Sequence, residues 1–200
     1  MKIFLDIGAW KGDTAQSVLT SKHHFDKIYC FEPQKELCKD IQALNSNKIE
    51  ICEFGLWNKT CNTSIYTDAN KKVGRDSDGA TLYKDKFIDD HVNEKSVKMV
   101  KASDWFRDNL KKADYIVMKM NCEGSECDIL DDLIDSGEFE KVDALMVDFD
   151  VRKIVSQQYR EAETVERLKA FHIPIHSVDR YDQWRLRGLN RTHYWMDKIL

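Results

Sequence analysis

Three clusters of residues have types and spacings that can do chemistry. The first is Asp6-Ile7-Gly8-Ala9-Trp10-Lys11-Gly12-Asp13, where an apolar run passes through a glycine turn into a helical pattern. Gly8 and Gly12 let the backbone approach a ligand closely, and the N–H groups of a helix start favour a carboxylate or phosphate. The spacing is GxxxG, not the GxGxxG of dinucleotide sites, and no P-loop lysine-serine pair follows, so a tight turn without a ligand also fits. The second is Glu32, followed by Pro33, about 20 residues beyond Gly12. A carboxylate there can accept hydrogen bonds from both hydroxyls of a ribose; alone it is equally a cap for the helix that Pro33 opens. Together the turn and the acid favour an adenosine-bearing cofactor. The third runs from Lys119 through Asn121, Cys122, Glu123, Gly124 and Ser125 to Glu126, ending an apolar strand in polar side chains. Desolvated polar groups need partners, so this knot serves binding or catalysis better than it serves stability.

The elements that position these residues alternate. Short apolar runs at 2–7, 27–31, 49–54, 115–120 and 144–149 read as strands, with 97–101, 173–178 and 193–199 as further short ones. Helical patterns fall at 13–21, 33–45, 126–136 and 158–170, with another opened by Asp104 as its cap. Residues 65–92, polar and carrying Gly74 and Gly79, read as a loop region. The sum is a single doubly wound α/β domain over 1–200, in which ligands bind beyond the carboxyl ends of the strands. All three clusters lie there.

Composition narrows the partners. With 31 basic against 35 acidic residues the net charge is −4, which argues against holding nucleic acid by its phosphates. No run of apolar residues is long enough to span a membrane. The start, MKIFLDIG, meets an acid and a glycine too early for a secretory signal, so a cytoplasmic protein is expected. Cysteines 30, 38, 52, 61, 122 and 127 form no CxxC pair or zinc template and read as reduced thiols.

The segments LDIGAWKGDT, YCFEPQ, GLWN, GATL, SDWF and VMKMNCEGSECDIL together resemble the FkbM family of S-adenosylmethionine-dependent methyltransferases, over about residues 3 to 150. The resemblance implies a Rossmann-like class I methyltransferase fold: a seven-stranded, mostly parallel sheet with helices on both faces. It implies that Asp6, Gly8, Ala9 and Gly12 wrap the methionine end of S-adenosylmethionine, with Trp10 and Asp13 also binding the cofactor. Glu32 and Pro33 would grip the ribose, and Phe54, Gly55 and Leu56 would border the adenine. Asp104 matches the aspartate of the family's threonine-leucine-aspartate element, and Thr81 stands where a serine is usual. One departure matters: the family's KxDxEG aspartate is Asn121 here, which cannot act as a base and is a poor ligand for a hard cation. It can still bond a substrate or the cofactor's amino group.

The implied reaction moves a methyl group to a hydroxyl, most simply of a sugar in a glycan or nucleotide-sugar. Glu123 and Asp148, at adjacent strand ends, are the candidate bases, with Lys119 and Asn121 beside them and Asp150 two residues on. No metal is expected; were magnesium to assist, Glu123 and Asp148 would hold it. The acceptor is a small molecule or glycan, and the chain is either whole or one domain of a longer glycan enzyme. A silent S-adenosylmethionine-binding partner protein and a nucleic-acid methyltransferase are the alternatives; the latter lacks a [DNS]PP[YFW] motif and any proline-cysteine pair. Arg180, Arg185, Arg187 and Arg191 interleave with Tyr181, Trp184, Tyr194 and Trp195 and suit a sugar or diphosphate. His172 and His176 read as structural.

Overall fold

The computed structural model describes residues 1–69, 79–87, 91–177 and 191–200. The chain runs β1 (Lys2–Ile7), α1 (Asp13–Leu19), β2 (Lys27–Phe31), α2 (Lys35–Gln42), β3 (Ile49–Cys52), β4 (Gly55–Trp57), β5 (Cys61–Asp68), β6 (Val92–Lys101), α3 (Ala102–Asn109), β7 (Tyr115–Met120), α4 (Glu126–Asp135), β8 (Ala144–Val147), α5 (Arg160–Leu168), β9 (Ile175–Ser177) and α6 (Arg191–Ile199).

Ile3 to Ile7 are all buried, as are Ile116 to Met120 and all of β8, and strands covered on both faces belong at the centre of a parallel sheet. They form one, in the order β3-β2-β1-β7-β8-β9, every neighbouring pair parallel. The alternation of side chains sorts β1 between two cores. Ile3, Leu5 and Ile7 pack with α3 and α4, while Phe4 packs with α1 and α6. Strand order reverses between β1 and β7, where Asp6 stands beside Lys119 and Ile7 beside Met120. That divergence opens a crevice at the strand ends.

A second sheet, β4-β6-β5, lies outside the first. β5 pairs antiparallel with β6 along its whole length, from Cys61 against Met99 to Asp68 against Val92, and Tyr66 bridges to Thr81.

Several expectations need correction. The parallel sheet has six strands among the described residues, not seven, because 193–199 belongs to a helix. Thr192, Trp195, Met196 and Ile199 are its buried positions, a helical face that the Tyr194-Trp195 pair disguises as strand. Part of the expected 65–92 loop is sheet, with β5 reaching Asp68 and β6 starting at Val92. Only Ile65, Val97 and Met99 are buried there, too few to stand out. The run 49–54 breaks after Cys52, where the Phe54 N–H turns back to the Cys52 carbonyl at 2.7 Å. Asp104 does not cap α3. It sits in the first turn and pairs with Arg107, while Asp132 of α4 accepts the Ser103 N–H at 2.7 Å. Arg180, Tyr181, Trp184, Arg185 and Arg187 lie outside the described residues. All six cysteines are free, and no described helix is long and apolar enough to cross a membrane.

Gly8 lies at the switch point with φ +79°, and a Cβ there would stand 2.0 Å from the Asn121 carbonyl oxygen. Gly8→Ala is therefore expected to cost about 2–3 kcal/mol of stability or more, read as a fall in the urea midpoint.

Candidate functional site

A cavity of about 480 Å³ lies over the switch point, within the usual range for small-molecule sites. Its wall takes Gly8, Ala9, Trp10 and Asp13 from the glycine turn and α1, and Glu32, Pro33 and Gln34 from the end of β2. Gly55 and Leu56 of β4, Lys119, Asn121 and Glu123 at the end of β7, and Asp148 after β8 continue it. The structure thus gathers twelve of the fifteen expected site residues around one space. The other three stand behind it. Asp6 is fully buried, and Gly12 faces α2, where a Cβ would lie 3.0 Å from Leu44 and 3.3 Å from Ile41. Phe54 packs edge-on against Phe31 with ring centroids 6.0 Å apart.

The turn is held from below. Lys119 Nζ donates to Asp6 Oδ1 and to the Gly8 carbonyl, each at 2.9 Å. Burial nonetheless pushes the Asp6 carboxyl above its ordinary range, against the pull of Lys119. The turn is also held from the side. Glu32 accepts the Trp10 N–H at 3.0 Å on one oxygen and the Gln34 N–H at 2.8 Å on the other. Burial outweighs these bonds and raises Glu32 to about 7. Each of its oxygens keeps a lone pair for a further donor.

The polar knot after β7 folds around Glu126. Its Oε1 accepts the N–H groups of Cys122 and Gly124, both at 3.1 Å, while Oε2 is buried without a partner among the described residues. Glu123 and Gly124 take left-handed backbone at φ +58° and +117°, which brings Glu123 to the cavity. Glu123 pairs with Lys86, whose Nζ also reaches the Gly79 carbonyl at 3.2 Å, and its carboxyl interacts with that of Asp150. Burial and this interaction raise Glu123 to about 7. Asp150 is held below the ordinary carboxylate range. Its own burial works the other way, but the interaction with Glu123 and the ammonium of Lys153 at 2.6 Å prevail. The Asn121 side-chain oxygen is buried with no partner among the described residues.

Other wall residues lacked a clear signal. Ile65 and Met99 come from the second sheet, whose fold over the crevice no local pattern shows. Thr14 and Ser17 sit on α1 just past the motif, and Ala80 and Leu82 flank Thr81, which bridges to Tyr66 outside the cavity lining. Arg191, Thr192 and Trp195 of α6 also line it; of these, Arg191 and Trp195 belonged to the arginine-aromatic tail. His172 and His176 do not line it. Among the described residues, no group of three or more His, Cys, Asp or Glu side chains is arranged to hold a metal ion.

A parallel α/β sheet with a polar cavity at its switch point has the architecture in which ligands bind beyond the carboxyl ends of the strands. The sequence pattern of the methyltransferase FkbM domain matches residues 6–174, and the chain belongs to that family of methyltransferases. The crystal structure of methyltransferase FkbM from Methylobacillus flagellatus KT is 17% identical, with a TM-score of 0.42 over 70% of this chain. The chain spans 30% of the length of that protein. No curated protein matches the sequence. Methyltransferases of this kind draw on S-adenosylmethionine as methyl donor.

Glu126 permits a test of the site's electrostatics. Its ordinary value is 4.5 and burial raises it to about 7, so between those values the folded state holds a proton that the unfolded state releases. Its contribution to stability is then largest below 4.5, falls as the pH rises to about 7, and is flat above. Glu126→Gln, which keeps an acceptor for the two N–H groups, should lose this dependence. Its stability relative to wild type should rise between pH 4.5 and 8 in urea denaturation.

Proposed function

We propose that this chain is an S-adenosylmethionine-dependent O-methyltransferase acting on a hydroxyl, of a sugar in a glycan or nucleotide-sugar. The observation that carries the reading is that one cavity joins Glu32 and the glycine turn to Glu123 and Asp148. The residues present fit the donor: a carboxylate with lone pairs to spare, an unpartnered amide oxygen on Asn121 and a turn pinned from two sides. When bound, S-adenosylmethionine supplies a methyl group made electrophilic by its sulfonium.

The chain's own residues divide the work. Glu32 accepts the two ribose hydroxyls, and Pro33, Gly55 and Leu56 border the adenine with Phe54 behind them. Ala9, Trp10 and Asp13 flank the methionine end, Asn121 accepts from its amino group, and Asp6 and Gly12 support the turn from behind. Lys119 acts on the turn rather than on the acceptor, because its ammonium is committed to Asp6 and Gly8. Glu123 takes the proton as the acceptor oxygen attacks, since a carboxyl near 7 is matched to that transfer at neutral pH. Asp148 accepts a neighbouring hydroxyl and orients the ring. A cavity lined by Glu123, Asp148 and the Trp10 and Trp195 side chains suits a polyhydroxylated acceptor and repels a phosphate backbone.

Calorimetric titration with S-adenosylhomocysteine, with and without magnesium, tests the cofactor. Micromolar one-to-one binding is expected, and a sugar and nucleotide-sugar screen follows. Glu32→Ala should weaken that binding by about 1–3 kcal/mol, and unchanged affinity removes Glu32 from the site. Binding without turnover on any acceptor would mark a partner protein instead of an enzyme.

At saturating cofactor, the wild-type rate should rise with pH through about 7 as Glu123 loses its proton. Glu123→Gln should bind cofactor normally, turn over on the order of a hundredfold more slowly and lack that limb. Wild-type turnover in this variant passes the role to Asp148.

A further inference from the structure

The C-terminal helix lies beyond the matched residues 6–174, yet it supplies one wall of the cavity. Its contribution therefore comes from outside the stretch that the family pattern matches. α6 rests on α1 through His193, whose Nε2 lies 2.6 Å from the Ser17 carbonyl oxygen. Ser17 is one helical turn from Asp13 and shares its face of α1. Arg191 opens the first turn of α6, two residues before His193. Asp13 and Arg191 both line the cavity, on helices that meet at Ser17 and His193. Among the described residues neither forms an ion pair, with the other or with any third group, although their charges are opposite. Trp195, one turn along from Arg191 and 8% exposed, lines the cavity too, its Nε1 buried without a partner among the described residues.

A separated pair of opposite charges selects among ligands. A phosphate or simple carboxylate drawn to Arg191 would be repelled by Asp13, and a simple amine drawn to Asp13 would be repelled by Arg191. A group bearing an ammonium and a carboxylate on one carbon satisfies both. We propose, building on the cofactor reading above, that Arg191 and Asp13 hold the α-carboxylate and α-ammonium of the cofactor's amino-acid end. The donor site is then completed by a helix outside the stretch that the family pattern matches.

The test compares S-adenosylhomocysteine with 5′-methylthioadenosine, which keeps the adenosine and the sulfur but lacks the amino-acid end. Calorimetry is run on wild type, Arg191→Met and Asp13→Asn; both positions are exposed, and far-ultraviolet circular dichroism confirms the fold. Each variant should weaken S-adenosylhomocysteine by about tenfold or more, the size of a lost charge-assisted hydrogen bond, and leave methylthioadenosine unchanged. Arg191→Lys should recover part of the loss. Unchanged S-adenosylhomocysteine affinity in Arg191→Met overturns the assignment, and a raised acceptor KM in the same variant would give the guanidinium to the acceptor. A wild type that binds the two ligands equally well overturns the slot but leaves the adenosine site standing. A wild type that binds neither overturns the cofactor reading itself.

Discussion

The Lys119 ammonium, buried between β1 and β7, is the contact from which the geometry of the cavity follows. It bonds Asp6 on the neighbouring strand and the Gly8 carbonyl above it, so it fixes the first residue of the turn to the strands that diverge beneath. Gly8 in turn is packed so tightly against the Asn121 backbone that only a residue without a Cβ fits. With Gly8 held, the Trp10 N–H points at Glu32, and Glu32 bonds the start of α2 through Gln34. Four elements are thereby ordered through one ion pair. Such a pair gains little net stability over an apolar contact, but losing one partner strands a buried charge at about 3–5 kcal/mol. Its value here is geometric, because an apolar pair would leave the Gly8 carbonyl without its donor.

The opposite wall is assembled by a different principle. Glu123 and Gly124 adopt left-handed backbone, and a Cβ on Gly124 would stand 2.0 Å from Ile154 Cδ1. The turn is sustained locally by Glu126 beneath it and from a distance in sequence by Lys86 from beside the second sheet and Asp150 from beyond β8. Asp128 repeats the pattern within the first turn of α4. It accepts from the Trp57 indole at 2.8 Å, from the Tyr83 hydroxyl and from Arg160 at 2.5 Å, joining β4, the 79–87 segment and α5. The segment carrying Lys86 is thus tied down at two points, and Glu123 has a charged neighbour that the sheet alone would not provide.

This contrast explains what was legible beforehand. Strands β1, β2, β7 and β8 are apolar because both faces are covered, and that same burial makes them easy to read. Residues at their carboxyl ends, from Asp6 to Asp148, could be placed on one side of the sheet by topology alone. The glycines were legible as constraints, and the structure adds a reason that no local pattern carries: a Cβ at Gly8 would meet Asn121 and one at Gly12 would meet Leu44 and Ile41. The second sheet was hidden because Ile65, Val97 and Met99 are nearly all it buries. α6 was hidden because its aromatic residues fit a strand as well as a helix until the spacing of Thr192, Trp195, Met196 and Ile199 is weighed. Lys86 carried no local signal, since its importance comes only from the distant residue it meets.

The electrostatics of the two walls converge. Glu32 and Glu123 line the cavity, and burial pushes both carboxyls up towards neutral pH, so part of their negative charge is suppressed by protons there. A cavity in that state is poised for a cation: a positive ligand favours the ionised carboxylates, and their ionisation strengthens its binding in return. On the proposed reading, the sulfonium donor carries that positive charge and the sulfide product does not. The proton released by the acceptor hydroxyl has a receiver in Glu123, and the product loses part of the attraction that held its precursor. Burial, which costs each carboxylate its solvation, is therefore what couples proton uptake to the loss of positive charge.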